Sequence, residues 1–225
     1  PSAEAALPPP EYARTIEFFG DSNTVGYGNE APVRECTPED LWDRTNSSLA
    51  CGPLTAQHFG ADYRVIAWSG LGVVRNYAGG SPGTSLPLKA AASLETSMPV
   101  ALPDVLVVGL GSNDFSTPLG DNEAWATQAQ LRANYRSKYV AFLARQAARA
   151  PDAPIVLIAQ DLFLDEVQAV RDVLAAAGIK QVAVMHITGL ERTGCDWHFS
   201  LADHRELADQ LIDLLEELEV FSQGN

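Results

Sequence analysis

Four short polar clusters in the chain carry the residue types that acyl transfer needs. They lie at residues 20–24, 69–72, 111–114 and 194–198, and contain Ser22, Gly70, Asn113 and His198 respectively. A serine hydroxyl becomes a strong nucleophile when an adjacent imidazole removes its proton, so Ser22 with His198 as its base is a coherent pair. The backbone amides of Ser22 and Gly70 and the side-chain amide of Asn113 would then form an oxyanion hole.

Each of these residues also has an ordinary structural interpretation. Ser22 could cap a helix, Gly70 could be a turn residue and Asn113 could form a turn with its own backbone. His198 could be a buried, hydrogen-bonded histidine. The order and placement of the four clusters together favour the catalytic interpretation over four separate structural roles.

Short apolar runs alternate with helical patterns along the chain. The runs at residues 15–19, 64–68, 105–109, 155–159 and 181–186 are typical of buried parallel strands. Helical spacing covers residues 131–150, 165–177 and 203–220, with shorter helices predicted at 53–59 and 86–97. This alternation predicts an α/β fold with three α/β/α layers and a doubly wound, five-stranded parallel sheet. In such sheets ligands bind outside the carboxyl ends of the strands, where the four polar clusters fall.

Composition and charge exclude several other functions. The 225 residues carry a formal net charge of −14, with lysines and arginines scattered, so no nucleic acid or anionic membrane is expected as a partner. No apolar run is long enough for a membrane span. Neither a Cys/His metal spacing nor a nucleotide-binding glycine loop occurs, so no metal and no cofactor are expected. The missing G-x-S-x-G elbow disfavours an α/β-hydrolase fold.

The start of the chain suggests an exported protein, and this bears on how its cysteines are interpreted. We expect residues 1–12 to form a flexible lead-in and residues 13–225 a single domain. The opening at Pro1 without a methionine favours a processed terminus, and hence a secreted or periplasmic protein whose signal peptide has been removed. Cys36 and Cys51 flank one polar loop and would form a disulfide in such a protein, although two unpaired thiols are an equal alternative. The oligomeric state stays open.

The four clusters resemble the blocks of the SGNH (GDSL-type) hydrolases, which contribute a Ser, a Gly, an Asn and a His and have a flavodoxin-like fold. Residues 19–30, 69–76 and 194–198 are similar, more narrowly, to carbohydrate esterase family 2. The resemblance implies metal-independent removal of acetyl groups from polysaccharides such as xylan or glucomannan. Ser22 would attack the acetyl carbonyl, and His198 would later activate water on the acetyl-enzyme.

The chain departs from these families at three points. Family 2 members usually carry a β-sandwich domain ahead of the hydrolase domain, so either that domain was removed here or this is a single-domain relative with a different substrate. They also commonly have an apolar residue where this chain has Asn23. In most SGNH hydrolases the Asp that orients the histidine lies three residues before it, where this chain has Cys195. We hypothesise that Asp196, two residues before His198, takes that role. A backbone carbonyl near residue 196 is the alternative, and it would leave a Ser–His dyad.

Aromatic residues near the clusters suggest a sugar ligand, because sugar rings present apolar C–H faces to flat side chains. Tyr27 and Trp197 are predicted to bind substrate, whereas Trp42, Trp68 and Trp125 are expected to be packing residues. The expected partner is an acetylated carbohydrate or another small ester. A lipid-type esterase or thioesterase on the same scaffold is less favoured, since the loops at 37–48, 78–85 and 116–123 are polar or small. A non-catalytic carbohydrate-binding protein is the third hypothesis.

Overall fold

Five short apolar runs form one parallel sheet in the computed structural model, which describes residues 12–80, 85–96 and 101–221. The strands are β1 (Thr15–Gly20), β2 (Asp62–Ala67), β3 (Val105–Gly109), β4 (Ile155–Ala159) and β5 (Val182–His186). Their order across the sheet is β2-β1-β3-β4-β5, and all four neighbouring pairs are parallel. The predicted strands are therefore confirmed, with β2 beginning two residues earlier than expected. Residues 1–11 of the expected lead-in lie outside the described part of the chain.

Helices cover both faces of this sheet. They are α1 (Pro38–Arg44), α2 (Cys51–His58), α3 (Leu86–Thr96), α4 (Ser112–Phe115), α5 (Gln128–Arg149), α6 (Leu164–Ala176) and α7 (Leu201–Glu217). Along β3, Val105 and Val107 pack into a core shared with α2 and α7, whereas Leu106 and Val108 pack into a core shared with α3, α5 and α6. Both faces of the strand are thus buried, as a parallel sheet between two helical layers requires. The predicted three-layer α/β fold is confirmed.

Two helices were not predicted. α1 has no buried residue, so it lacks the apolar stripe by which amphipathic helices are recognised. It begins at a capping box, in which the side chains of Thr37 and Asp40 each accept a hydrogen bond from the other's backbone amide. α4 is a single turn after β3. No helix in the described ranges is long and apolar enough to cross a membrane.

The winding of the sheet creates the place where a ligand can bind. From β1 the chain crosses to β2 on one side, and it later returns to β3 on the other side of β1. The carboxyl ends of β1 and β3 therefore lie next to each other where the strand order reverses, which is the usual ligand site of doubly wound folds. Ser22 follows β1 and Asn113 follows β3, so this topology brings them together.

The predicted disulfide between Cys36 and Cys51 is wrong. Cys36 is bonded to Cys195, 159 residues away, with their Cα atoms 5.5 Å apart. Cys51 is a free thiol at the start of α2, buried in the core beneath the sheet, and burial raises its pKa to about 11. The polar loop after Cys36 stays at the surface, whereas Cys51 enters the interior with α2. Closeness in sequence was therefore a misleading guide.

Candidate active site

Ser22 and His198 are in direct contact. His198 Nε2 lies 2.8 Å from Ser22 Oγ, and His198 Nδ1 lies 2.9 Å from the carbonyl oxygen of Cys195. Because a carbonyl can only accept a hydrogen bond, Nδ1 must carry the proton. In the neutral imidazole, Nε2 is then left to accept the proton of the Ser22 hydroxyl. Burial lowers the pKa of His198, so the imidazole is neutral and ready to act as a base near neutral pH.

The predicted hydrogen bond from His198 to Asp196 is wrong. Residues 195–197 form a 3₁₀ turn, in which the carbonyl of Cys195 accepts from both the backbone amide and Nδ1 of His198. The expectation for Asp196 assumed an extended segment, where residues two apart share a face, and a turn removes that relationship. The Asp196 carboxylate instead accepts a hydrogen bond from the Tyr27 hydroxyl at 3.1 Å. Its negative charge still favours the protonated form of His198, though less than burial disfavours it.

The loop that carries His198 is fastened to the segment that follows Ser22. The backbone amide of Cys195 donates to the carbonyl of Gly28 at 3.2 Å, and that of Asp196 donates to the carbonyl of Arg34 at 2.8 Å. The disulfide from Cys195 to Cys36 joins the same two segments covalently. The position of the imidazole relative to Ser22 therefore depends on contacts between segments far apart in sequence.

Ser22 lies in a run of turns, so it does not cap a helix. The amides of Thr24 and Val25 both donate to the carbonyl of Asp21, and the amide of Tyr27 donates to that of Ser22. The next helix begins only at Pro38. Within the described residues the backbone amide of Ser22 donates to no protein group, so it remains available to a ligand.

The loop that contains Gly70 is organised by a buried carboxylate. Asp114 accepts hydrogen bonds of 2.9 Å from the amides of Val73, Val74 and Arg75, and burial raises its pKa to about 6. Gly72 allows this close approach, since a Cβ there would lie 2.5 Å from Asp114 Oδ2. Gly70 adopts φ +80°, a conformation that favours glycine. Its amide, like that of Ser22, has no acceptor in the described part of the protein.

Asn113 connects the Gly70 loop to the Ser22 turn. Its Nδ2 donates to the carbonyl of Leu71 at 2.9 Å and to Asp21 Oδ2 at 3.1 Å. Both amide hydrogens therefore already have protein acceptors, and either would have to be shared with a ligand. Asp21 also accepts from the amide of Asn23, and burial, with a smaller contribution from the negative charge of Asp114, raises its pKa to about 7.

The buried guanidinium of Arg75 binds the loop that contains Thr117, Pro118 and Glu123. Arg75 is 2% exposed and donates to both carboxylate oxygens of Glu123 and to the carbonyls of Thr117 and Pro118. The motifs did not single out Arg75, although it lies within the block at residues 69–76. The supporting roles of Asp21 and Asp114 were also missed, whereas the Cys195 carbonyl corresponds to the alternative of a backbone carbonyl near residue 196. Asp21 and Asp114 lie inside the four clusters, which could have drawn attention to them. Their roles, however, depend on hydrogen bonds to the backbone, which the sequence does not reveal.

The predicted site residues share one cleft of about 720 Å³ at the carboxyl ends of the strands. Its lining includes Ser22, Gly70, Asn113, Asp196 and His198, together with Tyr27 and Trp197. The ring centres of Tyr27 and His198 lie 4.2 Å apart, so Tyr27 packs against the imidazole. Trp197 is 63% exposed, with the Arg34 guanidinium 3.8 Å from its ring centre.

The described part of the cleft contains no cluster of metal-ligating side chains. Among the residues that the structure describes, no group of three or more His, Cys, Asp or Glu side chains is placed to hold a metal ion. The contacts around Ser22 are those of proton transfer and hydrogen bonding. A hydroxyl, a neutral imidazole and two unpaired amides can together carry out nucleophilic attack on a carbonyl carbon.

A sequence model described as the GDSL-like lipase/acylhydrolase family matches residues 18–219, which include all four polar clusters. The chain belongs to this family. The GDSL-like match agrees with the resemblance to SGNH hydrolases, and the fold is the one expected of them.

Individual relatives point to carbohydrate esterases. The chain is 43% identical over 228 residues to an acetylxylan esterase/glucomannan deacetylase of Cellvibrio japonicus, covering 96% of this chain and 62% of that protein. A solved carbohydrate esterase, described as having divergent catalytic and non-catalytic binding functions in its active site, superposes with a TM-score of 0.87 at 42% identity, covering 94% and 67% of the two chains. A family two carbohydrate esterase of Clostridium thermocellum in complex with cellohexaose gives a TM-score of 0.78 at 26% identity, covering 96% and 68%. The similarity to carbohydrate esterase family 2 is thereby confirmed, while this chain spans less than two thirds of the Cellvibrio protein.

The disulfide should matter for catalysis, because Cys195 both forms it and supplies the carbonyl that orients His198. We expect Cys36→Ser, or reduction of the native protein, to lower kcat for an aryl acetate by roughly 10–100-fold, the range that a displacement of about 1 Å produces. Cys51→Ala is the matched control, since Cys51 is unpaired, and it should retain the sensitivity to reductant. Full activity of the reduced protein, with thiol titration proving reduction, would contradict this role.

The Asp196 carboxylate should be dispensable for orienting His198. We expect Asp196→Asn to lower kcat by less than about tenfold, whereas loss of a true triad acid costs about 10⁴-fold. The asparagine oxygen can still accept from Tyr27, and the Cys195 carbonyl is unchanged. Steady-state kinetics on an aryl acetate provide the measurement, and a loss of 10³-fold or more would restore Asp196 as the orienting acid.

Proposed function

We propose that this protein is a metal-independent serine esterase that removes acetyl groups from carbohydrate through an acyl-enzyme on Ser22. The observation that carries the proposal is the 2.8 Å contact between Ser22 Oγ and His198 Nε2, with Nδ1 held by the Cys195 carbonyl. A nucleophile, its base and an orienting group in series are the arrangement that serine hydrolases require. Here the series consists of two side chains and one main-chain oxygen.

The reaction follows from these contacts. Ser22 Oγ attacks the acetyl carbonyl carbon while His198 Nε2 takes its proton. The oxyanion that develops is stabilised by the free amides of Ser22 and Gly70, with Asn113 sharing one of its amide hydrogens. The imidazolium then returns the proton to the leaving sugar oxygen, and the C–O ester bond breaks. In the second half, a water gives a proton to His198 Nε2 as its oxygen attacks the acyl carbon. The imidazolium then returns that proton to Ser22 Oγ as the bond from Oγ to the acyl carbon breaks and acetic acid leaves.

The charge on His198 during this cycle is stabilised locally. The Cys195 carbonyl accepts from Nδ1 in both the neutral and the protonated ring. The negative charge of Asp196 nearby favours the protonated form. These two groups therefore supply, in part, what an orienting carboxylate supplies in a triad.

The choice of an acetyl ester on carbohydrate rests on the lining of the cleft and on the relatives. Small or polar side chains, such as Ser69, Ser112 and Ser116, line much of the cleft beside the rings of Tyr27, Tyr77 and Trp197, and this mixed lining favours a short acyl group. Trp197 provides an exposed aromatic surface beside the base. The relatives that act on acetylxylan and glucomannan make acetylated plant polysaccharide the favoured substrate class.

We also propose that the protein works outside the reducing cytoplasm. The disulfide between Cys36 and Cys195 fits a secreted or periplasmic location, because such bonds persist in oxidising compartments. The position of the disulfide beside His198 would then connect full activity to that environment.

Acyl-chain preference together with loss of the nucleophile tests the proposal. We expect kcat/KM for an acetyl aryl ester to exceed that for the octanoyl ester by about tenfold or more, as small pockets discriminate against added methylenes. Acetate should be released from acetylated xylan or glucomannan. Ser22→Ala should lower turnover by about 10³-fold or more, whereas Ser137→Ala, an exposed serine on α5, should not. Preference for octanoyl esters would favour a lipid-type esterase, and failure of both esters and both polymers would favour a binding protein.

The pH profile should reflect the buried imidazole. Burial lowers the pKa of His198, and only the neutral ring can take the serine proton, so activity should be retained below the ordinary histidine pKa. We expect the acid limb of the pH profile of kcat/KM, measured through the release of acetate, to have an apparent pKa below 6.5. Removing the negative charge in Asp196→Asn should move this limb to still lower pH. An acid limb above 6.5 would contradict the buried, carbonyl-held base.

A further inference from the structure

A second groove lies beside the catalytic cleft, with a volume of about 460 Å³. Pro38, Leu41, Trp42 and Thr45 from the α1 region line one side, and Tyr27 and Ser69 line the other; we call it the α1 groove. Tyr27 and Ser69 also line the catalytic cleft, so the two depressions meet at these side chains. A linear ligand could therefore extend from one into the other.

Trp42 is the most prominent feature of this groove. The sequence suggested a packing residue, but Trp42 is 85% exposed, and α1 buries none of its residues. The helix is nevertheless tightly held beside the nucleophile's segment, because the amide of Gly28 donates to Thr45 Oγ1 and the amide of Glu30 donates to the carbonyl of Arg44. The fold thus presents a large flat ring to solvent from an anchored helix, where packing does not require it.

The chemistry of the groove fits a neutral sugar ring. The indole of Trp42 and the side chains of Pro38 and Leu41 offer apolar surface to the C–H face of a pyranose. At the edge shared with the catalytic cleft, the Ser69 hydroxyl has no protein partner within the described ranges, and it can bond a sugar hydroxyl. Glu39, Asp40 and Asp43 on α1 place negative charge nearby, which disfavours an anionic ligand.

We propose that the α1 groove is a subsite for a neutral sugar unit of the polysaccharide chain, next to the acetylated sugar in the catalytic cleft. This inference rests on the proposed function, because it requires a carbohydrate chain at Ser22. Trp42 provides the platform on which that second sugar stacks. The subsite acts in binding, and it takes no part in proton transfer or in the chemistry of the ester.

Chain-length dependence of a Trp42 variant tests this subsite. We expect Trp42→Ala to raise KM for acetylated xylo- or manno-oligosaccharides by about tenfold, the effect of losing one stacked ring of apolar contact, with little change in kcat. With an acetylated monosaccharide or an aryl acetate, which cannot reach the groove, KM and kcat should stay within about twofold of the native values. Trp42→Phe should recover part of the affinity, because it restores a flat apolar ring.

The matched control is Tyr63→Ala, which removes an exposed aromatic at the start of β2, at the amino end of the sheet and away from the cleft. It should leave KM unchanged for every substrate. If Trp42→Ala has native KM for the oligosaccharides, then the subsite is rejected while the esterase function stands. A KM that rises equally for the aryl acetate would also reject it, since the effect would then be a disturbance of Tyr27 and the catalytic cleft. If the native protein cleaves aryl acetate but no acetylated saccharide, the proposed function fails and the inference fails with it.

Discussion

The hydrogen bond from His198 Nδ1 to the Cys195 carbonyl is the constraint on which the rest of the site depends. A main-chain oxygen cannot be protonated at accessible pH, so it keeps the imidazole in one tautomer under all working conditions. It also carries only a partial charge, and it raises the pKa of His198 less than burial lowers it. The result is a base that is neutral when the serine proton must be taken. As a consequence, the position of the imidazole is only as well defined as the position of the Cys195 backbone that holds it.

That backbone is held by contacts over long sequence distances. The loop at residues 194–198 is joined to the segment after Ser22 by hydrogen bonds to Gly28 and Arg34 and by the disulfide to Cys36. The other half of the site depends on two buried carboxyl groups, Asp21 and Asp114, which gather the amides of the Ser22 turn and of the Gly70 loop. Asn113 joins the Ser22 turn to the Gly70 loop, because its Nδ2 donates to Asp21 and to the carbonyl of Leu71. All of this lies where β1 and β3 meet at the reversal of strand order, so the sheet topology makes the encounter possible.

The strands, the long helices and the meeting of Ser22, Gly70, Asn113 and His198 could be predicted from the sequence, because each depends on local patterns and on one topological rule. The orienting group of His198 could not be assigned, since it depends on whether residues 195–197 form a turn or an extended segment. The Asp196 side chain was therefore preferred over a backbone carbonyl, although the Cys195 carbonyl is the group that binds Nδ1. The disulfide was predicted wrongly because Cys36 and Cys51 were paired on their nearness in sequence, whereas the fold buries Cys51 and places Cys195 beside Cys36. Trp42 was misjudged because α1 has no apolar face, so neither the helix nor the exposure of its indole was visible in the pattern.

The tautomer of His198 in solution tests the central claim most directly. In protein labelled with ¹⁵N at histidine, the resonances of His198 can be assigned by their loss in His198→Gln among the four histidines of the chain. Above the pKa of the ring, the account predicts a protonated Nδ1 and an unprotonated Nε2, and the same pattern in Asp196→Asn, because the Cys195 carbonyl selects this tautomer. A ring protonated at Nε2, or a tautomer that changes in Asp196→Asn, would contradict an orientation by the main chain.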